Sequence, residues 1–263
     1  MHTATRPIGD LLRDWRQRRH LSQLALANEA DVSARHVSFL ETGRAQPSRE
    51  MLLRLSERLE IPLRERNGLL IAAGFAPIYS ERPLDDPALA AAHEAVQQVL
   101  KGHEPYPALA IDRHWNLIAF NQAIPRLLTT VDPEQLKPPV NVLRLSLHPD
   151  GLSPWIVNLA EWRAHLLERL RHQIEVSGDP VLAELMRELD GYLVPTGESA
   201  ERVSGSAVVV PLRLRHGDHI LDLISTTTVF GTPVEITLSE LAIESFFPAN
   251  AETTEVLQAL GSA

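Results

Sequence analysis

The chain has no cysteine among its 263 residues. That excludes a disulfide framework, thiolate metal ligands and thiol redox sensing, and it fits a reducing, cytoplasmic setting. No run of about eighteen apolar residues occurs and the N-terminus has no apolar signal core, so neither membrane insertion nor export is expected. Catalytic signatures are missing as well: there is no Gly-x-Ser-x-Gly elbow, no phosphate-binding glycine loop and no His-Glu-x-x-His helix. The expectation is a protein that is not an enzyme and holds no cofactor. His165 and His172 lie seven residues apart on one face of a proposed helix, with His148 as a conceivable third group. No carboxylate or thiolate spacing accompanies them, so no metal site is expected.

Lysine is absent from the first 74 residues, which carry 12 Arg against 9 Asp plus Glu. That stretch has a net charge of +3, and with the whole chain at −9 the remainder carries −12. A mildly basic module therefore precedes a far more acidic body. The length has room for two domains, and 44% hydrophobic with 22% charged residues is an ordinary globular balance.

Residues 22 to 43 read as two short helices folded across a tight turn. Ser22 is an N-cap for a helix carrying Leu24, Ala25 and Ala27, a break falls at Asp31, and Ser33 caps a second helix that runs to about Leu40 and ends at Gly43. Val37 and Leu40 point inward, which leaves Ala34, Arg35, Ser38 and Phe39 facing out. A B-form major groove admits one such helix while its partner crosses the backbone. Arg13, Arg16, Arg18 and Arg19 on the preceding helix, with Arg44 and Arg49 beyond, could neutralise phosphates on either side. Four Arg within seven residues also describe a solvated helix face, and Phe39 could be core. The turn and caps in register favour DNA.

With its flanks, about residues 6 to 74, this segment resembles the phage-repressor-like (Xre-type) helix-turn-helix family. The resemblance rests on Ile8, Leu11, Leu12 and Trp15; on Leu21-Ser22-Gln23 with Leu26-Ala27; on Val32-Ser33; on Val37-Ser38-Phe39-Leu40-Glu41 and Gly43; and on Pro47-Ser48, Leu52 to Leu59 and Ile61-Pro62. It implies that Gln23 touches a phosphate and braces the next helix. Ala34, Arg35 and Phe39 would sit where bases are read, and Ser33, His36 and Arg44 where phosphates are held. Together with Arg16, Arg19 and Ser38 these form the candidate DNA-binding set. Arg35 can donate two parallel bonds to guanine O6 and N7, worth about 1–3 kcal/mol of discrimination.

Proline-rich residues 75 to 87 read as a linker, and Asp86-Pro87 opens a helix through Leu89, His93, Val96 and Leu100 to Gly102. Such a helix could pair with its copy in a homodimer, since one helix-turn-helix reads only half an operator. The domains expected are thus 1–76, a connecting segment 77–104, and 105–263. In the last, Ala108 to Asp112 and Asn116 to Asn121 form a hairpin and helices run over about Pro154 to Val176 and from Asp179-Pro180 to Gly191. Residues 196 to 206 form a loop, and strands Ala207 to Arg215 and His219 to Phe230 close a second hairpin. The fold class expected is an all-α helix-turn-helix domain plus an α+β domain, an antiparallel sheet whose first and last hairpins lie side by side with helices covering one face.

Residues 105 to 250 resemble the ligand-binding domain of MmyB-like transcription regulators, a PAS-type fold. The resemblance is carried by Trp115-Asn116 with Phe120-Asn121, Leu145 to His148-Pro149, Trp162 with Leu166 to Arg171, Val210-Pro211-Leu212-Arg213-Leu214, and Phe230-Gly231-Thr232-Pro233 to Phe246-Phe247-Pro248-Ala249. It implies a one-component regulator with a fatty-acid-like effector. Such a ligand needs an apolar tunnel with a cationic or hydrogen-bonding mouth. Phe120, Trp162, Leu166, Ile224 and Phe230 are the candidate lining, and His148, Arg163 or Arg213 the candidate head-group contacts. Ordinary core is the commoner fate of such apolar residues, and the alternative function is a constitutive DNA-binding factor whose second domain is a docking or oligomerisation module.

Overall fold

Three serines punctuate the first third of the chain. The side chains of Ser22, Ser33 and Ser48 accept from the N–H groups of Ala25, His36 and Met51, each satisfying a backbone donor that a helix start leaves open. The computed structural model describes residues 6–192, 209–231 and 235–262. Its first five helices are α1 (Ile8–Arg18), α2 (Gln23–Glu29), α3 (Ala34–Glu41), α4 (Arg49–Arg58) and α5 (Leu63–Ala72). They enclose one apolar core in which Leu12, Trp15, Leu26, Val37, Leu40, Leu52, Leu55 and Leu70 are buried. Asp31 turns the chain between α2 and α3 with φ of 54°, and Gly43 leaves α3 with φ of 72°, a left-handed value that glycine adopts without a Cβ penalty.

The chain divides into two compact units, the first built mainly on residues up to Arg82 and the second mainly on those from Pro83 onward. The division falls within the proline-rich segment. At its start, the Asn67 side chain accepts from the N–H groups of Ile78 and Tyr79 and donates to the Tyr79 carbonyl, which fixes the chain leaving α5.

The second unit contains α6 (Ala90–Gly102), β1 (Ala108–Ile111), β2 (Leu117–Phe120), α7 (Ala123–Leu127), α8 (Val142–Leu147), α9 (Leu159–Ser177), α10 (Pro180–Asp190), β3 (Leu212–His216), β4 (His219–Val229), α11 (Ile236–Ser239), β5 (Ala242–Pro248) and α12 (Ala251–Ser262). The strands form one antiparallel sheet in the order β2-β1-β5-β4-β3. This is the α+β arrangement that the sequence pattern implies and the PAS-type fold that the resemblance implies, with one correction. The two hairpins do not lie side by side, because β5 separates them, pairing β1 on one edge and β4 on the other.

Residue parity divides the sheet's two faces. Leu109, Leu214, Leu223 and Phe246 turn to the side that α8, α9 and α10 cover, where Leu143, Trp162, Leu166, Leu170, Leu182 and Leu185 are buried. Ala108, Ala110 and Ile243 turn to the other side, where they pack with Val96 and Leu100 of α6. The helix read as a connector thus buries its apolar stripe on the sheet. Asn121 fastens this corner: its buried amide donates to the carbonyls of Leu100 and Tyr106, and its oxygen accepts from Ala108 N–H.

The long helix starts later than the sequence suggests, at Leu159 rather than Pro154, since Ile156 bridges to Leu214 and Val157 N–H donates to the Arg213 carbonyl, which keeps the chain extended there. Strand β3 likewise begins only at Leu212, after Pro211. The loop expected at 196–206, residues 207–208 of the expected strand and the Thr232-Pro233 pair lie outside the described residues.

Candidate functional site

In the first unit, α3 presents Arg35 to solvent with Phe39 beside it, and Arg44 follows one turn past the helix end. The Arg35 and Arg44 guanidiniums stand 5.1 and 5.9 Å from the Phe39 ring centroid. Two cations therefore lie close to the one aromatic ring, a cationic cluster that can meet phosphates and base edges. Among the described residues neither Arg35 nor Arg44 has a carboxylate within salt-bridge distance. Ala34, His36 and Ser38 occupy the same helix, half exposed, and Ser33 caps its start.

What holds α3 in place is a buried carboxylate. Glu41, at the C-terminal end of the helix, is 3% exposed and accepts from Arg16 Nε at 2.6 Å, Arg16 Nη2 at 2.9 Å and Gln23 Nε2 at 2.8 Å. Burial pushes the Glu41 carboxyl upward, but the hydrogen bonds from Arg16 and Gln23 and the charges of Arg16 and Arg13 outweigh it and leave the group below its ordinary 4.5. Arg13 donates to the Glu41 carbonyl at 2.8 Å. Gly9 permits the approach of α1 to this point: a Cβ there would lie 2.5 Å from the Leu40 carbonyl oxygen.

These contacts give two of the candidate phosphate-binding arginines partners inside the domain. Arg16 is held by Glu41 and by the Leu21 carbonyl, and Arg19 donates to the carbonyls of Leu59 and Glu60, so both guanidiniums tie helices together inside the domain. Gln23 braces α3 through Glu41.

In the second unit an apolar cavity of about 110 Å3 lies between the sheet and the helices. Leu109, Leu117, Leu212, Leu214, Leu223 and Phe246 form its floor, and Ile124, Leu127, Val142, Leu143, Leu145, Trp162 and Leu166 its walls and roof. Three polar side chains reach it: Ser146, whose hydroxyl accepts from Trp162 Nε1 at 3.0 Å, and the pair Arg169 and Glu244. Trp115 lines it too, from a backbone position with φ of 68°, an uncommon conformation for a bulky residue. That turn is held by Asp112, whose Oδ1 accepts from the N–H groups of His114 and Asn116, while Trp115 Nε1 donates to Gln173.

Of the eight candidate ligand residues the cavity brings together only Trp162 and Leu166. Ile224 sits one residue from Leu223 on β4 and so turns to the face away from the cavity, whereas Phe120, opposite Leu109 across the bulged β1–β2 pair, shares the cavity-side face but is largely exposed and does not line the space. Phe230 packs instead beside the α6 cluster. The head-group candidates are also elsewhere. His148 stacks edge-on against Tyr192, Arg163 donates to the Leu189 and Asp190 carbonyls, and Arg213 pairs with Asp222 at 2.9 Å. Burial, with the charge of Arg169, pushes His165 below its ordinary value. Among the described residues no three His, Asp or Glu side chains are grouped to hold a metal ion. The cation that does reach the cavity is Arg169, which sequence reasoning missed. A signal existed: Trp162, Leu166 and Arg169 follow helical spacing on one stripe of α9.

Residues 92–260 match the family model of the MmyB-like transcription regulator ligand binding domain, and residues 12–66 match a helix-turn-helix model. No curated protein matches the chain. Among solved structures, the clp gene regulator ClgR from Corynebacterium glutamicum is 28% identical over 37% of this chain and 90% of its own, with a TM-score of 0.23. An RNA-binding light-oxygen-voltage receptor is 13% identical over 99% of this chain and 62% of its own, with a TM-score of 0.27.

Proposed function

The chain belongs to the family defined by the MmyB-like transcription regulator ligand binding domain, joined to a helix-turn-helix, and on that premise we propose which molecules this ligand-regulated, DNA-binding transcription regulator recognises and how. The effector is a fatty acid or related acyl derivative whose chain fills the apolar cavity under α9. The observation that supports it is the lining, in which aliphatic and aromatic side chains from all five strands and from α7, α8 and α9 face one space and, among the described residues, Ser146, Arg169 and Glu244 are the polar groups that interrupt them.

On the DNA side, Arg35 and Phe39 read base edges while Ser33, Ala34, His36, Ser38 and Arg44 face the groove and its phosphates. Two copies pair as a homodimer and place two α3 helices on half-sites about 34 Å apart. The effector acts by favouring one spacing of these helices, and a coupling of about 1–3 kcal/mol changes operator affinity roughly 5–150-fold. No catalytic step is part of the scheme. The connecting segment expected at 77–104 shortens on this reading to the proline-rich stretch, because α6 packs on the sheet and goes with the sensor domain.

Denaturing extraction of the purified protein followed by mass spectrometry tests the effector, since a tightly held acyl ligand is carried through purification with the protein. Melting with acyl compounds of about C10 to C18 complements it, because a ligand selective for the native state raises the midpoint. An extract without acyl compounds and a midpoint that none of them moves refute the effector assignment. Sedimentation showing only monomer at micromolar concentration, with and without operator DNA, refutes the dimer.

A further inference from the structure

The apolar cavity has one ionic wall, and that wall is already neutral. Arg169 of α9 and Glu244 of β5 both line the cavity and are joined at 2.6 Å between Nη2 and Oε1 and at 3.3 Å between Nη1 and Oε2. Thr227 of β4 stands directly across the strand pair from Glu244 and completes the array. Its hydroxyl donates to Glu244 Oε1 at 2.8 Å and accepts from Arg169 Nη2 at 3.0 Å. The Trp115 ring lies 4.9 Å from the guanidinium carbon. Behind Trp115, Arg169 and Glu244 is a second cavity of about 220 Å3 with polar walls that include Asp112, Arg113 and Gln173. The ion pair and the indole thus partition an apolar chamber from a polar one.

We propose that the effector of this site is an amphiphile with an uncharged, hydrogen-bonding head, an acyl amide, ester or thioester rather than a fatty-acid anion, with its chain in the apolar chamber and its carbonyl oxygen at Arg169. This rests on the acyl-effector reading above and narrows it. Glu244 is 4% exposed, so its charge depends on Arg169 for compensation. A ligand carboxylate at the partition sets a second anion beside Glu244 where one cation serves both, and like charges repel strongly away from water. A ligand that displaces Glu244 from Arg169 leaves a buried carboxylate unpaired, which is more unfavourable still. A neutral carbonyl meets neither penalty. It accepts an N–H from a guanidinium that has five to give, and the Arg169–Glu244–Thr227 array remains intact.

The test is titration of the full-length protein and of its Glu244→Gln variant with decanamide, methyl decanoate and decanoate at about pH 8, where a carboxylic acid is ionised. Wild type is expected to bind the amide or the ester more tightly than decanoate by about tenfold or more. Glu244→Gln leaves the Arg169 charge unmatched, so the ratio is expected to shift toward decanoate by about tenfold. Wild-type preference for decanoate overturns the head-group assignment while leaving an acyl effector standing, and so does an unchanged ratio in a folded Glu244→Gln variant. Failure of all three compounds to bind removes the acyl reading and this inference together. Should Glu244→Gln not fold, the wild-type ratio decides alone.

Discussion

Glu41 in the first unit and Glu244 in the second are both buried carboxylates gripped bidentately by an arginine, yet their surroundings differ. Glu41 is enclosed by helices, with Arg16 and Gln23 filling its hydrogen-bonding positions and Leu40 beside it in a closed core. Glu244 has packed protein on one side and open space on the other. The same pair is a fastener where the core is full and a recognition surface where it is not. A buried ion pair by itself is weak evidence of function; the cavity beside it supplies the second half of the argument.

The comparison is sharpest in stability. Removing one partner of a buried pair leaves an uncompensated charge, so Glu41→Ala is expected to destabilise the first unit by about 3–5 kcal/mol, a large share of what a small domain has. Urea unfolding followed by amide hydrogen exchange of residues 8–72 reads this directly. A loss below about 1 kcal/mol, the level of an exposed pair, would show that Glu41 is not the fastener described.

Next in size is filling the space that distinguishes the second unit. Leu166→Trp places an indole in the cavity and is expected to abolish the stabilisation a bound effector gives, about 2.7 kcal/mol at a hundredfold excess over Kd. Melting the variant with and without decanamide measures it. An undiminished rise in midpoint places the ligand elsewhere.

How far each unit could be read from the chain differs for a related reason. The helices of the first unit are specified locally, by Ser22, Ser33 and Ser48 as caps and by apolar residues at helical spacing, so their order and limits follow from short stretches. What stayed hidden there was pairing at long range. Nothing local shows that Arg16 reaches Glu41, 25 residues on, instead of a phosphate. In the second unit long-range pairing decides nearly everything. Strand β5 is central to the sheet, but a glutamate interrupts its apolar run and a proline ends it, so Glu244 and Pro248 mask it as a strand. Its partner β1 lies far off in sequence, on the other side of all the intervening helices. Without that register, an apolar residue such as Ile224 could be chosen as lining, but not assigned to a face.

On the DNA surface the expected effects are comparable to or smaller than these, and they separate two kinds of arginine. Arg35→Ala is expected to lose about 1–3 kcal/mol of discrimination at one operator position, whereas Arg44→Ala weakens all sequences alike and lowers the salt dependence. Competition binding against a panel of single-base operator variants distinguishes them. An Arg35→Ala protein with unchanged base preference would transfer the reading role to Phe39 or Ala34.

The smallest effect is on acidification, and it returns to Glu41. Its folded carboxyl lies below the ordinary 4.5 because Arg16 and Gln23 overcome the penalty of burial. The unfolded chain therefore takes up the proton first as pH falls, and the stability that the charged form contributes is fully present above the unfolded value and is lost as pH passes down through the folded one. Between pH 6 and 8 no change from this group is expected, about the range where all carboxylates of ordinary affinity stay ionised. Below the ordinary carboxylate range the first unit should weaken, and Glu41→Gln should flatten that part of the profile while lowering the plateau. Exchange protection of residues 8–72 measured against pH in both proteins is the check. A wild-type profile no steeper than that of Glu41→Gln would mean that the Arg16 and Gln23 contacts do not hold the carboxylate charged in solution.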